Sequence, residues 1–316
     1  MLRYVLRRLP TAILVLLVAS IVIFFILRLA PGDPAASLAG PDADDVTISK
    51  IREQLGLDRP LVVQYGAWLG GILTGNLGES YLLHAPIAEL IGNSLGNTVL
   101  LAAAATLLAM IGGGVVGFFQ GTANSAGIRA TLSALTSFGV AVPTYVTGVL
   151  LILLFAVSWR VLPPGGMGPG LQDFSLGWQY LLMPAIALSL PTGATLARFL
   201  ASSLRQTLDQ DFFQTGIAKG LSTRRLMLAH VVPNSLPPVL TILGLQIGQL
   251  LGGAIIVETI FAWPGVGQLL LQSVNGRDYL LTQALLLIAV SVFIVVQVVN
   301  DVVDAAMDPR VRLEMS

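Results

Sequence analysis

Five stretches of this chain, residues 11–27, 98–119, 132–157, 239–257 and 280–299, contain no charged side chain. Each approaches or exceeds the roughly 17–25 apolar residues that an α-helix needs to cross a bilayer. Such a chain has few options, because the hydrocarbon interior offers no partner to a free N–H or C=O. The stretches therefore predict spanning helices, and with them an all-α polytopic membrane protein. Composition agrees: charged residues are 11% of the 316, against about 25% in soluble domains, and mean hydropathy is +0.82.

Residues 180–200 are also apolar but carry Pro184 and Pro191. Prolines are tolerated in a span where neighbouring helices satisfy the carbonyls they free, so this stretch predicts a sixth, kinked span. The first run follows Arg3, Arg7 and Arg8. It is longer than the ~7–15 apolar residues of a signal-peptide core, and it reads as an uncleaved first span. Six spans put both chain ends on one side. With that side cytoplasmic, Arg3, Arg7, Arg8, Arg129, Arg198, Arg205, Lys219, Arg224, Arg225, Arg310 and Arg312 lie inside. These are 11 of 17 basic residues, while 11 of 17 acidic residues lie outside. The bias follows the positive-inside rule, and Trp68, Trp159, Trp178 and Trp263 fall on the outer side, as interface anchors do. The organisation expected is an N-terminus and first span over 1–29, and an extracytoplasmic region with short helices over 30–95. A five-helix core follows over 96–306, holding a cytoplasmic segment at 201–236, and a cytoplasmic tail occupies 307–316.

In the first outer region, 47–56 reads as a polar helix and 61–73 as a more apolar one, while 31–34 reads as a turn. Trp263-Pro264-Gly265 reads as a second turn, on or re-entering the membrane surface. Gly113, Gly117 and Gly121, and likewise Gly244, Gly248 and Gly252, recur every fourth residue. On a helix they form a bare stripe where another backbone can approach, and static packing is the expected use. Gln297, Asn300, Asp301, Asp304 and Asp308 share one helix face at a cytoplasmic end, where carboxylates stay hydrated. Glu79, His84, Glu89, Glu258 and Asp278 read as solvated loop charges.

Several chemistries are excluded. Formal net charge is zero, which gives no support for nucleic-acid binding; cysteine is absent, and two histidines, His84 and His230, make no histidine-rich metal site. No Gly-x-x-x-x-Gly-Lys-Ser/Thr phosphate loop and no His-Glu-x-x-His occurs. The runs carry no intramembrane charge of the kind that ion-coupled carriers use. A chain with these properties is expected to move something without catalysing a reaction, and to be powered by another chain. The segment 211–238, DFFQTGIAKGLSTRRLMLAHVVPNSLPP, is where that partner is expected. It is cytoplasmic by the charge count, and apolar Ile217, Leu221 and Leu228 interleave with Lys219, Arg224 and Arg225. The apolar side chains suit a groove and the cations an acidic rim.

The same segment, with Thr215 to Ser222, Arg224, Arg225, His230 and Asn234, resembles the coupling loop of ATP-binding-cassette importer permeases. The closest resemblance is to the dipeptide/oligopeptide (peptide/nickel) subfamily, in the subunit type with a long first outer loop. Leu2-Arg3-Tyr4, Leu27 to Pro34, Leu55 to Pro60, Asn76 to Ser80, Glu258 to Gly265 and Asp308-Pro309-Arg310 match the same family. The resemblance implies a type I importer permease fold and one half of a translocation path for di- or oligopeptides. It also implies a second homologous permease subunit, two cytoplasmic ATPase subunits carrying ATP and Mg, an extracytoplasmic substrate-binding protein, surrounding lipid, and no cofactor on this chain. Gln214, Thr215, Gly216, Ile217, Ala218, Lys219, Gly220, Leu221, Ser222, Arg224 and Arg225 are the implied ATPase-coupling residues, with Gly220 the hallmark glycine. Gln214-Thr215-Gly216 stands where the wider pattern has Glu-Ala-Ala, and Gly216 should weaken its helix by about 0.8–1.0 kcal/mol relative to Ala. Within the family nickel or another small solute is the alternative cargo. Outside it, the rivals are an ion-coupled secondary transporter and a non-transporting assembly subunit.

Overall fold

The computed structural model describes residues 2–29, 33–40, 43–54, 56–168 and 174–307. The side chains of Arg3, Arg7 and Asp304, and all of Asp308, Arg310, Arg312 and the rest of 308–316, lie outside the described residues. Among those described there is no strand, only a single bridge between Glu79 and Pro86. Five helices are each long and apolar enough to cross a membrane. They are α1 (Leu2–Leu29), α5 (Ile87–Thr122), α8 (Phe174–Leu208), α12 (Pro237–Ile260) and α14 (Tyr279–Met307). A further apolar pair, α6 (Ala126–Ala141) and α7 (Thr144–Leu151), whose helix continues as π-helix through Ile152–Ser158, brings the number to six where the pair counts as one span. That pair is bent by 99°.

A break occurs where the sequence pattern read none. Residues 132–157 read as an uninterrupted span, and 180–200 as the kinked one. The stretch 180–200 lies within α8, one helix that includes Pro184 and Pro191, and the break in 132–157 falls at Val142-Pro143. Both of these residues have extended backbone, with ψ of 122° and 142°. A proline pushes the residue before it out of the α region, and here Val142 yields. Short helices fill the region before α5: α2 (Pro34–Ala39), α3 (Asp45–Gln54) and α4 (Leu61–Leu73). The first of these replaces part of the expected turn. Asp33 caps it, accepting from the Ala35 N–H at 2.9 Å, and Arg52 of α3 bonds the same carboxylate. The turn at Trp263-Pro264-Gly265 leads into a ten-residue helix, α13 (Val266–Asn275).

The chain forms two compact units. In the unit of residues 1–98 and 264–295, Ile87 and Ile91 of α5 pack with Leu269 of α13 and with Leu281, Ala284 and Leu285 of α14. In the unit of residues 99–263 and 296–316, the core is built from α5, α8 and α12 around Leu101, Met183, Leu188, Leu250, Phe261 and Trp263. Trp263 is therefore a core residue, 1% exposed, and not an interface anchor. The first glycine stripe is packing surface, as expected. A Cβ at Gly113 would stand 2.5 Å from the Gly193 carbonyl oxygen, one at Gly117 2.7 Å from that of Ala197, and one at Gly121 3.0 Å from Leu204. The backbones of α5 and α8 thus approach as closely as bare glycines allow. In the second stripe, Gly244 leaves room for the side chain of Asn300, whereas Gly252 faces open space.

Candidate functional site

The segment 211–238 is folded throughout. Asp211 opens helix α9 (Asp211–Ala218), where its charge suits the helix N-terminus. The helix stops at Gly220 by a Schellman closure: the Gly220 N–H donates to the Ile217 carbonyl at 2.9 Å and the Leu221 N–H to that of Gly216 at 3.1 Å. Gly220 has φ +77°, and a Cβ there would meet nothing within 4 Å. Its requirement is conformational and not spatial. Ser222 then caps α10 (Thr223–Leu226), its Oγ accepting from the Arg225 N–H at 3.4 Å. A π-helical turn, Met227–Val231, leads to α11 (Val232–Ser235). Pro233, which has no N–H, cannot complete the α-pattern to the Ala229 carbonyl. Pro237 and Pro238 start α12, the helix position proline tolerates best.

Gly216 proves to be more than a weak spot in α9. It is buried, and a Cβ there would collide with a methyl of Leu226, itself 1% exposed. The missing side chain lets α10 fold against α9. Beneath, Phe212, Phe213, Met227 and Val232 pack on buried Leu204 of α8 and Val231. Three hydroxyls bind the segment's end to α8. Ser235 Oγ donates to Thr207 Oγ1 at 3.0 Å, Thr207 Oγ1 to the Ser203 carbonyl at 2.8 Å, and Ser203 Oγ to the Ser235 carbonyl at 2.9 Å. Two cations counted as cytoplasmic, Arg129 and Arg205, reach carbonyls at the end of α5. Arg205 bonds Gln120 at 2.7 Å, and Arg129 bonds Ala123 at 3.1 Å and Asn124 at 2.9 Å. A helix C-terminus attracts positive charge.

Of the expected coupling residues, Gln214, Thr215, Ile217, Ala218, Lys219, Gly220, Ser222, Arg224 and Arg225 are exposed, Leu221 is half-buried and Gly216 buried. Ile217 is 48% and Leu228 59% exposed. The segment thus presents two apolar side chains and three cations on a framed surface, while its underside is locked to α8.

Sequence reasoning missed a second site, around Asp278. Read as a solvated charge, it is 1% exposed. One carboxylate oxygen accepts from Ser80 Oγ at 2.6 Å and the Leu82 N–H at 3.2 Å, the other from the Leu281 N–H at 3.1 Å. The carboxylate caps α14 and pins residues 80–82 at once. A signal existed, since an Asp directly before an apolar helical run is an N-cap pattern. Burial first, and then the Asp278 charge, push the nearby Tyr81 phenol up from its ordinary pKa. Glu258 is fully buried as well, whereas Glu79, His84, Glu89 and His230 are exposed. Gln297 Nε2 donates to Asp301 Oδ1 at 3.2 Å, in keeping with a shared helix face. An apolar cavity of about 400 Å³ between α5, α6 and α8 has Thr136 and Ser189 as its polar lining and offers a peptide backbone little to bind.

Comparison with known proteins covers nearly the whole chain. Residues 113–313 match the family model described as "Binding-protein-dependent transport system inner membrane component", and residues 1–102 match that family's N-terminal model. A probable peptide ABC transporter permease protein of Sinorhizobium fredii is 34% identical over 98% of this chain and 99% of its own length. A glutathione transport system permease protein of Salmonella choleraesuis is 36% identical over 99% of each. Among solved structures, an inward-facing MetNI methionine ABC transporter aligns with TM-score 0.58 at 16% identity, over 69% of this chain and 96% of the other. That likeness shows the fold.

Proposed function

Since the chain belongs to the inner membrane components of binding-protein-dependent transport systems, and is thus a transport permease subunit of the ABC importer class, we propose that its cargo is short peptides. The observation that carries this reading is the full-length match to permeases named for peptide and for glutathione transport. A second, homologous permease would complete the path, and an extracytoplasmic binding protein would deliver the peptide. Two cytoplasmic ATPase subunits would hold ATP and Mg. Both termini of this chain would then be cytoplasmic.

We propose further that α9 and its Gly220 closure form the ATPase-docking element. Ile217 and Leu228 would enter an apolar groove, and Lys219, Arg224 and Arg225 would face acidic rims. Support comes from the placement of these residues on an exposed surface whose inner side is tied to α8. Copurification with the ATPase and substrate-stimulated ATP hydrolysis test the docking. Ile217→Asp should reduce both and leave membrane insertion intact; unchanged copurification would place the docking surface elsewhere. Mass spectrometry of the ligand on the purified partner binding protein tests the cargo, and a bound metal ion instead of a peptide would overturn it. An ion-coupled carrier would keep transporting after ATP depletion, and an assembly subunit would show no substrate-stimulated hydrolysis.

A further inference from the structure

Helix α4, LVVQYGAWLGGIL, has no charged side chain, although it belongs to a region expected in water. The neighbouring α3 shows what a water-facing helix here looks like, with Asp45, Lys50, Arg52 and Glu53 in ten residues. At 1.5 Å per residue α4 is about 20 Å long, too short to cross a hydrocarbon core of ~30 Å. Its two sides differ. Tyr65 and Trp68 pack on α1: the Tyr65 hydroxyl is 2.9 Å from Ser20 Oγ, and the Phe24 ring lies 5.4 Å from Tyr65 and 5.9 Å from Trp68. On the other side Val62, Gly66, Gly70 and Leu73 form one stripe at helical spacing. Val62 is 76% and Leu73 79% exposed, and a Cβ at Gly66 or Gly70 would meet nothing within 4 Å.

The contacts with α1 set a depth. Ser20 and Phe24 precede Leu29, the end of the spanning helix, by nine and five residues. They therefore lie about 14 and 8 Å along the axis from that end, within the apolar run and not beyond it. The backbone at the end of α4 is satisfied by the chain itself. Thr74 donates through both its N–H and its hydroxyl to the carbonyls of Gly70 and Gly71, Asn76 N–H to Gly71, and Gly75 N–H to Ile72. This is the same closure that ends α9 at Gly220, and it leaves the end of α4 with no need of water. Gln64 turns back to the carbonyls of Leu57 and Arg59 at 3.0 and 2.7 Å. On α1 itself, Ile21, Val22 and Ile26 are exposed apolar side chains within the span.

We infer that α4 is immersed in the bilayer leaflet at the Leu29 end of α1, with Val62, Gly66, Gly70 and Leu73 against lipid acyl chains. The inference rests on α1 as a span and is independent of the peptide and ATPase assignments.

The chain has no cysteine, so single-cysteine variants report one position each. Nitroxide labels would be placed on Val62→Cys and Leu73→Cys, with Ile26→Cys as the lipid reference and Lys50→Cys as the aqueous one. The transporter is reconstituted into liposomes, and collision rates are measured with oxygen, which concentrates in lipid, and with a polar nickel chelate. The oxygen-to-nickel ratio at both α4 positions should match Ile26→Cys and exceed Lys50→Cys several-fold. A ratio like that of Lys50→Cys would put α4 in water and overturn the inference. Slow collision with both probes would also overturn it, by showing that protein and not lipid covers the stripe.

Discussion

Two glycines four residues apart do opposite work in the 211–238 segment. Gly220 needs a backbone conformation, while Gly216 needs an absent side chain. Substitution should separate them. Gly220→Ala pays the left-handed penalty of about 1–2 kcal/mol, and Gly220→Asn, which tolerates that region, should retain more ATPase copurification than Ala. Gly216→Leu must displace Leu226, and should lower the thermal unfolding temperature and weaken copurification together. The identity of Gly220 was legible from its motif. Gly216 was legible only as a helix-propensity cost, because its contact with Leu226 exists only once the chain has turned. Asp278 teaches the same lesson in reverse: charge suggested solvent, yet three donors surround the carboxylate. Asp278→Ala should cost about 1–3 kcal/mol for each donor left unpaired, read as a lower unfolding temperature in detergent. Tyr81 adds a pH dependence. Its pKa is raised in the folded protein, so its contribution is fully present below the unfolded phenol value of 10.0. The contribution is lost as pH rises through the folded value. Tyr81→Phe should flatten that alkaline decline in an unfolding titration.

Helices were the most readable level, since their length and freedom from charge follow directly from the bilayer. Five of the six expected spans appear as single helices. The sixth is broken at Val142-Pro143, and the sequence could not say so, because three prolines offered the same chemistry. Around Pro184, Met183, Ala185 and Leu188 pack with residues of α5 and α12; at Pro143 the preceding residue adopts extended backbone instead. The short helices α2 and α13 were hidden behind turn residues that begin them. The Ser203, Thr207 and Ser235 hydroxyls were equally invisible, since residues in α8 and α11 meet only in three dimensions. On the docking proposal this cluster lies between the ATPase and the spans. Ser235→Ala should keep copurification but lower the number of substrates moved per ATP hydrolysed, and Ser235→Thr should restore part of the ratio. Equal loss of transport and hydrolysis would mark the cluster as purely structural.

For the molecule as a whole, family membership was legible because its motifs are spread from the first residues to the last. The substrate path was not, since a wall shared with the proposed second permease would leave only half its chemistry in this chain. The eight residues of α9 carry one more implication. An isolated helix needs about 12–15 residues to be even marginally stable in water. This one persists because Leu226 is seated on Gly216 and because Phe212 and Phe213 rest on the core below. A synthetic peptide of residues 211–238 should therefore be largely unfolded by circular dichroism and compete poorly with the intact protein for the ATPase. On the docking proposal, the recognition surface is borrowed from the membrane part of the protein, and a partner that grips it grips the spans as well.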